Sequence, residues 1–266
     1  MKRADLFPRP VVFDAAQPRQ RRSLLGGFLV GAGLAGAAWM LDALQRSRSN
    51  RRLHRTLVDL LLNALTADDS LTARHSRRVA DLTDVLAAAL RLGRVERATL
   101  RVASLLHDMG KVDDRYFHIL HSREPLSEGE RAQIKTHPHQ SASILRPLEP
   151  FHPGLQAIVS CHHECWNGQG YPEALGGTEI PVGARIIAVA DVFDALTQPR
   201  AYHGPLSPDE VLKKIRDAAG TQFDPAVVRI LDAPDVRAKW REIAKQGRDE
   251  ERAAEASAEG GEAGNP

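Results

Sequence analysis

With 266 residues the chain has room for one domain near the upper end of the usual size range, plus tails. A formal charge of +2, with no long basic run inside the region that can fold, excludes a nucleic-acid polymer as the expected partner. Only two cysteines, Cys161 and Cys165, exclude a disulfide framework and fit a reducing compartment, and the low aromatic content (5%) with abundant Ala, Leu and Arg favours helices over strands.

Residues 1–22 carry six basic residues against two acidic ones, with Pro8, Pro10 and Pro18, and read as an irregular basic tail. Residues 24–41 are 18 consecutive uncharged, mostly apolar residues, just long enough for a bilayer core of about 30 Å, so a transmembrane helix is expected over 23–45. Gly27 and Gly31 have the small-residue spacing that lets two membrane helices approach, which allows a homodimer through this segment. Arg46, Arg48, Arg51, Arg52 and Arg55 follow directly, so the C-terminal domain is expected on the cytoplasmic side of a single-pass inner-membrane protein. Two other readings compete: an export signal begun by Arg21-Arg22, and a soluble cytoplasmic protein.

Residues 46–66 read as a basic juxtamembrane segment and a linker helix, in which the spacing of Leu53, Leu57, Leu60 and Leu61 predicts one shared face. The spacing then predicts a helix over about 72–92, with His75 before the stripe Val79, Leu82, Leu86 and Ala89, and another over about 95–108 ending at His107-Asp108. His118 and His121 lie in a polar connection and read as solvated. Ser127-Glu128-Gly129-Glu130 is a capping box that starts a helix to about Thr136, and Pro138 opens the next, leaving His137 at the kink. A helix over about 154–163 brings His162-His163 to its end. The loop after it is rich in Gly and Pro, suiting a backbone wrapped close to a ligand. Asp191 and Asp194 interrupt a strongly apolar helix over 185–196 and need buried partners, of which a metal is one. Ser207-Pro208-Asp209-Glu210 and Asp224-Pro225 cap the last helices, which end near Gln246, and the Glu-, Ala- and Gly-rich residues 248–266 read as a disordered tail.

Adjacent His107 and Asp108 set a nitrogen and an oxygen ligand at one spot, with Lys111 just beyond. Taken singly, each histidine of this chain fits a hydrogen-bonded core or surface residue. The ordered set His75, His107-Asp108, His137, His162-His163, Gly170-Tyr171-Pro172 and Asp191 does not, and it resembles the HD-GYP family of cyclic di-GMP phosphodiesterases over roughly residues 60–232.

The resemblance implies an all-α, multi-helix HD-domain bundle with a C-terminal HD-GYP extension, here over 67–247. It implies a metal-dependent enzyme that opens cyclic di-GMP to linear pGpG in second-messenger signalling, and leaves open whether pGpG is cleaved onward to GMP. It assigns His75, His107, Asp108 and Asp191 to one divalent ion and Asp108, His137, His162 and His163 to a second, with Fe or Mn suited to mixed imidazole and carboxylate ligands. Asp108 and Lys111 carry catalysis in this assignment, and Lys111, Gly170, Tyr171, Pro172, Arg200, Tyr202 and His203 contact substrate. His203 stands where the family commonly has Arg or Lys, and this keeps alive a non-catalytic cyclic di-GMP receptor, beside an HD-type phosphohydrolase acting on another nucleotide. Leu71 stands where members with a third metal place an acid, so two ions are expected. A zinc site on Cys161 and Cys165 is disfavoured because no second paired motif exists. Trp166 reads first as a packing residue under the loop, with guanine stacking on Trp166 or Tyr171 as the competing reading. No sensory domain is read before residue 60, so input is expected through the membrane segment, a sensory partner or expression level.

Overall fold

The structure, a computed structural model, describes residues 56, 70–112, 119, 126–199 and 204–262. These lie in the second of the chain's two compact units, His54–Pro266. Nine α-helices are described: α1 Ser70–Ala89, α2 Arg94–Leu106, α3 Glu128–Ile134, α4 His137–Leu145, α5 Leu155–Ser160, α6 Val182–Thr197, α7 Pro208–Asp217, α8 Pro225–Ile230 and α9 Pro234–Glu262. Among the described residues no strand forms, only the isolated bridges Asn167 to Gly176 and Ala219 to Phe223. No helix among them is long and apolar enough to cross a membrane, and the span expected over 23–45 lies outside the described residues.

α1 and α2 form an antiparallel pair turned at Arg91, which takes a positive φ of 56°. The Gly93 N–H donates to Glu96 Oε2 at 2.7 Å to start α2. α1 turns Val79, Leu82 and Leu86 inward, α2 adds Leu100, Ala103 and Leu106, and α6 supplies Ile186, Ile187, Val189, Ala190 and Phe193. α6 is buried along most of its length because α1, α5, α7 and α8 all pack against it. Each of these large side chains stabilises the fold by roughly 1.5–3 kcal/mol relative to exposure. The two capping boxes form as read. Ser127 and Ser207 accept from the backbone N–H of Glu130 and Glu210, both at 3.3 Å, and each glutamate accepts in return at 2.8 Å.

The C-terminal end differs from the sequence reading. α9 does not stop near Gln246 but runs to Glu262, so residues 248–262 are helical rather than a disordered tail. Trp240 is fully buried against Phe193, with ring centroids 4.6 Å apart, and its Nε1 donates to Leu82 O at 3.3 Å. Three turns on, Glu251 is buried by ion pairs to α1, an anchor that the polar composition of this region conceals.

Candidate metal centre

Five of the elements meet at one polar pocket in the apolar bundle. α2 ends at Leu106, so His107 caps it and Asp108 stands in the turn between α2 and the 3-10 turn Met109–Val112, rather than sharing the last helical turn. His137 is the first residue of α4. Its approach requires Gly110, where an added Cβ would lie 2.6 Å from His137 O, and the Gly110 N–H donates to Ser141 Oγ at 2.8 Å. With no side chain at this position, α4 closes on the site. α5 stops at Ser160, so His162 and His163 sit in the turn after it. His75 comes from α1, and Asp191 from α6.

Three imidazoles are oriented in the same way. Nδ1 of His107, His137 and His162 each meets a backbone carbonyl three residues earlier, Ser104 O, Ile134 O and Val159 O, at 2.8, 2.7 and 2.6 Å. A carbonyl only accepts, so Nδ1 carries the proton and, in the neutral ring, Nε2 presents a lone pair. Nε2 of His137 and of His162 face each other at 3.3 Å, and Asp108 Oδ1 lies 3.2 Å from His137 Nε2 and 3.9 Å from His162 Nε2. Asp108 Oδ1 and His107 Nε2 are buried without a hydrogen-bond partner. Lone pairs so placed repel one another unless a cation lies among them, and orphaned buried acceptors are costly. The donor set therefore fits a metal.

Asp108, His137, His162 and His163 bring ligand atoms within 4.8 Å of one another, and so do His75, His107 and Asp108; Asp108 belongs to both groups. Asp191 reaches the second group through His75, its Oδ1 standing 3.1 Å from His75 Nε2. Cysteine enters neither group, and burial pushes the Cys161 and Cys165 thiols up. Burial also lowers the pKa of His107 and His162, and that of His163 to about 4, so these rings are neutral at pH 7. At Asp108 burial works the other way, but the surrounding groups, the Lys111 cation foremost, outweigh it and hold the carboxyl well below its usual value. Lys111 Nζ donates to Asp108 Oδ2 at 2.7 Å. Burial pulls His75 down, yet Asp191 and Asp194 override it and raise its pKa to about 9.

The GYP loop closes one side. Tyr171 stacks on His163 with ring centroids 4.9 Å apart, and the Tyr171–Pro172 peptide is cis. Gly170 lies on the backbone of the HHE segment, where an added Cβ would stand 2.3 Å from Cys165 N. Trp166 N–H and Asn167 N–H donate to Gln222 O and Thr221 O at 3.1 and 2.9 Å, so the Gly220–Pro225 segment props up the loop from outside. Arg185 pairs with Asp224 at 2.7 Å and lies over the Trp166 ring, in keeping with a packing role for that tryptophan. Arg200, Tyr202 and His203 lie outside the described residues.

Some residues at the site escaped the sequence reading. Asp194, read only as a buried acid in need of a partner, accepts from His75 Nδ1 at 2.7 Å and from Arg78 at 2.7 and 3.1 Å. Arg78 carried a signal, its i+3 spacing from His75 on one helix. Lys135 lies 5.5 Å from the Tyr171 ring centre. Its spacing from His137 gave no reason to select it.

A helical bundle that gathers five histidines and two aspartates around a shared carboxylate defines a histidine–aspartate metal-centre domain. Residues 59–227 match the HD domain family, and the chain belongs to it, with the GYP segment of the HD-GYP branch in place. It is 36% identical over 184 residues to 3'3'-cGAMP-specific phosphodiesterase 2 of Vibrio cholerae, a match covering 68% of this chain and 35% of that protein. It is 33% identical to the cyclic di-GMP phosphodiesterase response regulator RpfG of Xanthomonas campestris, over 66% of this chain and 47% of that one. The chain thus spans between a third and a half of the length of these relatives. Among solved structures, a cyclic GMP-AMP specific phosphodiesterase of V. cholerae shares the fold, with a TM-score of 0.53 and 24% identity over 72% of this chain and 53% of that chain.

Proposed function

We propose that this chain is a metal-dependent phosphodiesterase that opens cyclic di-GMP to linear pGpG. The observation that carries the reading is the set of inward Nε2 lone pairs of His107, His137 and His162, fixed by their carbonyl contacts around Asp108. One divalent ion would be held by His75, His107, Asp108 and Asp191, and a second by Asp108, His137, His162 and His163. Such ions supply Lewis-acid stabilisation of phosphate charge and a water acidified enough to attack.

The protein's own part is orientation and charge. Asp108 faces both groups of ligands, and the carbonyl partners hold the three rings so that little reorganisation accompanies binding. Lys111 brings a cation beside Asp108, where it offsets charge that builds on the phosphate. Tyr171 and Gly170 present the loop against which a guanine and its phosphate rest. Arg200, Tyr202 and His203 complete the substrate contacts.

The substrate class is supported by the relatives, which are named for cyclic di-GMP and for 3'3'-cGAMP, so both dinucleotides belong in the assay. Iron or manganese suits the ligand set. The catalytic domain is assigned to 67–247, and a single-pass helix over 23–45 would hold it at the inner membrane, allow a homodimer and link it to a sensory partner. Carbonate extraction of cell membranes tests that part, because release of the chain into the supernatant removes the anchor. For the activity itself, purified protein loaded with Mn(II) or Fe(II) is incubated with each cyclic dinucleotide and the products are identified. Binding of cyclic di-GMP with no cleavage under either metal would replace the enzyme with a receptor.

A further inference from the structure

Behind His75 a chain of buried charges runs out of the site and ends on the C-terminal helix. His75 Nδ1 contacts Asp194 Oδ2 at 2.7 Å. Asp194 is gripped by the guanidinium of Arg78, whose Nε and Nη2 donate to its two oxygens at 2.7 and 3.1 Å. Arg78 Nη1 in turn donates to Glu251 Oε1 at 3.2 Å, and Glu251 Oε2 accepts from Arg74 Nη2 at 2.7 Å. His75, Arg78, Asp194 and Glu251 are each at least nine-tenths buried.

The helix that brings Glu251 is fitted to this place. One turn earlier, an added Cβ on Gly247 would lie 2.5 Å from Arg78 Cδ and 2.9 Å from Gln198 Oε1, so a larger residue there would have to push the Arg78 or Gln198 side chain aside. Gln198 Nε2 donates to Ala244 O at 3.2 Å, and Arg248 Nη1 to Thr197 O at 3.5 Å. Trp240, Ala244, Gly247 and Glu251 thus form one stripe against α1 and the end of α6. The family match ends at residue 227, so this stripe lies outside it.

We propose that Glu251 is a positioning residue for the His75 side of the metal centre, acting through Arg78 and Asp194. A planar guanidinium held at both ends by carboxylates has one orientation, and it fixes the plane of Asp194 and with it the ring of His75. Without Glu251, Arg74 and the outer nitrogen of Arg78 lose their buried partner, and Arg78 is free to turn outward and leave Asp194 half paired. Outer partners of metal-binding histidines are worth about 10–100-fold in metal affinity. The effect belongs to one side of the centre, because His137, His162 and His163 are oriented by other contacts. The inference rests on the proposal that His75 holds a metal.

The test uses the full chain, stripped of metal and titrated with Mn(II) by calorimetry and electron paramagnetic resonance. The parent should take up two ions. Glu251→Gln, which keeps the shape and removes the charge, should weaken one of them by on the order of tenfold or more and leave the other unchanged. Trp240→Phe, on the same helix, serves as the structural control and should lower Tm without separating the two affinities. A parent with fewer than two ions overturns the metal-centre reading and this inference with it. A parent with two ions and a Glu251→Gln protein with unchanged affinities, or with both lowered equally as Tm falls, overturns the inference alone. Should Glu251→Gln fail to fold, Arg78→Lys, which keeps the cation and loses the fork, carries the same expectations.

Discussion

Asp108 and Lys111 are bonded to each other at 2.7 Å, yet their losses should read differently. Asp108 faces both groups of ligands, so Asp108→Ala should abolish metal uptake and hydrolysis together, as elemental analysis and product formation would register. Lys111 touches no metal in this assignment, and Lys111→Ala should keep both ions while hydrolysis slows by about 2–4 kcal/mol, roughly thirty- to a thousand-fold. A Lys111→Ala enzyme as fast as the parent would remove its role. His75 yields a test on the metal-free protein. Its folded pKa of about 9 lies above the ordinary 6.5, so the stabilisation from its contacts with Asp191 and Asp194 is fully present below about pH 6.5 and is lost as pH rises through 9. Thermal melts from pH 6 to 10 should fall across that window, and Asp194→Asn should flatten the slope; melting temperatures that rise instead would contradict it.

The GYP loop and the C-terminal helix are held by opposite means, and this decides which of them the sequence disclosed. Gly170 sits on the backbone of Glu164 and Cys165, which cannot step aside as a flexible side chain would. Gly170→Ala should therefore shift the loop, leaving metal content intact and raising KM for the cyclic dinucleotide; steady-state kinetics with an unchanged KM would refute the loop's part in binding. The capping boxes at Ser127 and Ser207 were readable because local backbone chemistry works at fixed spacing, and Gly170 was readable as part of the Gly-Tyr-Pro motif of the resemblance. The histidine and aspartate order was readable through its resemblance to the HD-GYP family, since each of these residues taken singly also fits an ordinary core or surface position. Helix ends around the site were less legible: His107 and His162 lie past the ends of α2 and α5, since turning the chain out of the helix is what aims their Nε2 inward. The extension of α9 to Glu262 was not legible at all. Its inward stripe passes through Gly247 and Glu251, a helix-weakening residue and an acid, and only the distant partners Arg74 and Arg78 give them a reason to be buried.

Across the whole domain, one core carries the site. The side chains of α1, α2 and α6 that pack the bundle are on the helices that deliver His75, His107 and Asp191, so the metal centre is built on the most buried part of the fold. Trp240 closes that core from α9, and Trp240→Ala should cost about 3–5 kcal/mol in urea denaturation, because the ring leaves a large hole beside Phe193. A loss under 1 kcal/mol would mean that α9 is only loosely docked. The central claim is that the two ligand groups sharing Asp108 each hold a metal and together open a cyclic dinucleotide. Elemental analysis of protein purified under reducing, low-oxygen conditions, run on the same sample as the product assay, tests it most directly. The expected result is close to two Fe or Mn ions per chain, a lower number in His162→Ala, and linear dinucleotide formed only by the two-ion protein; one ion per chain, unchanged by His162→Ala, would contradict it.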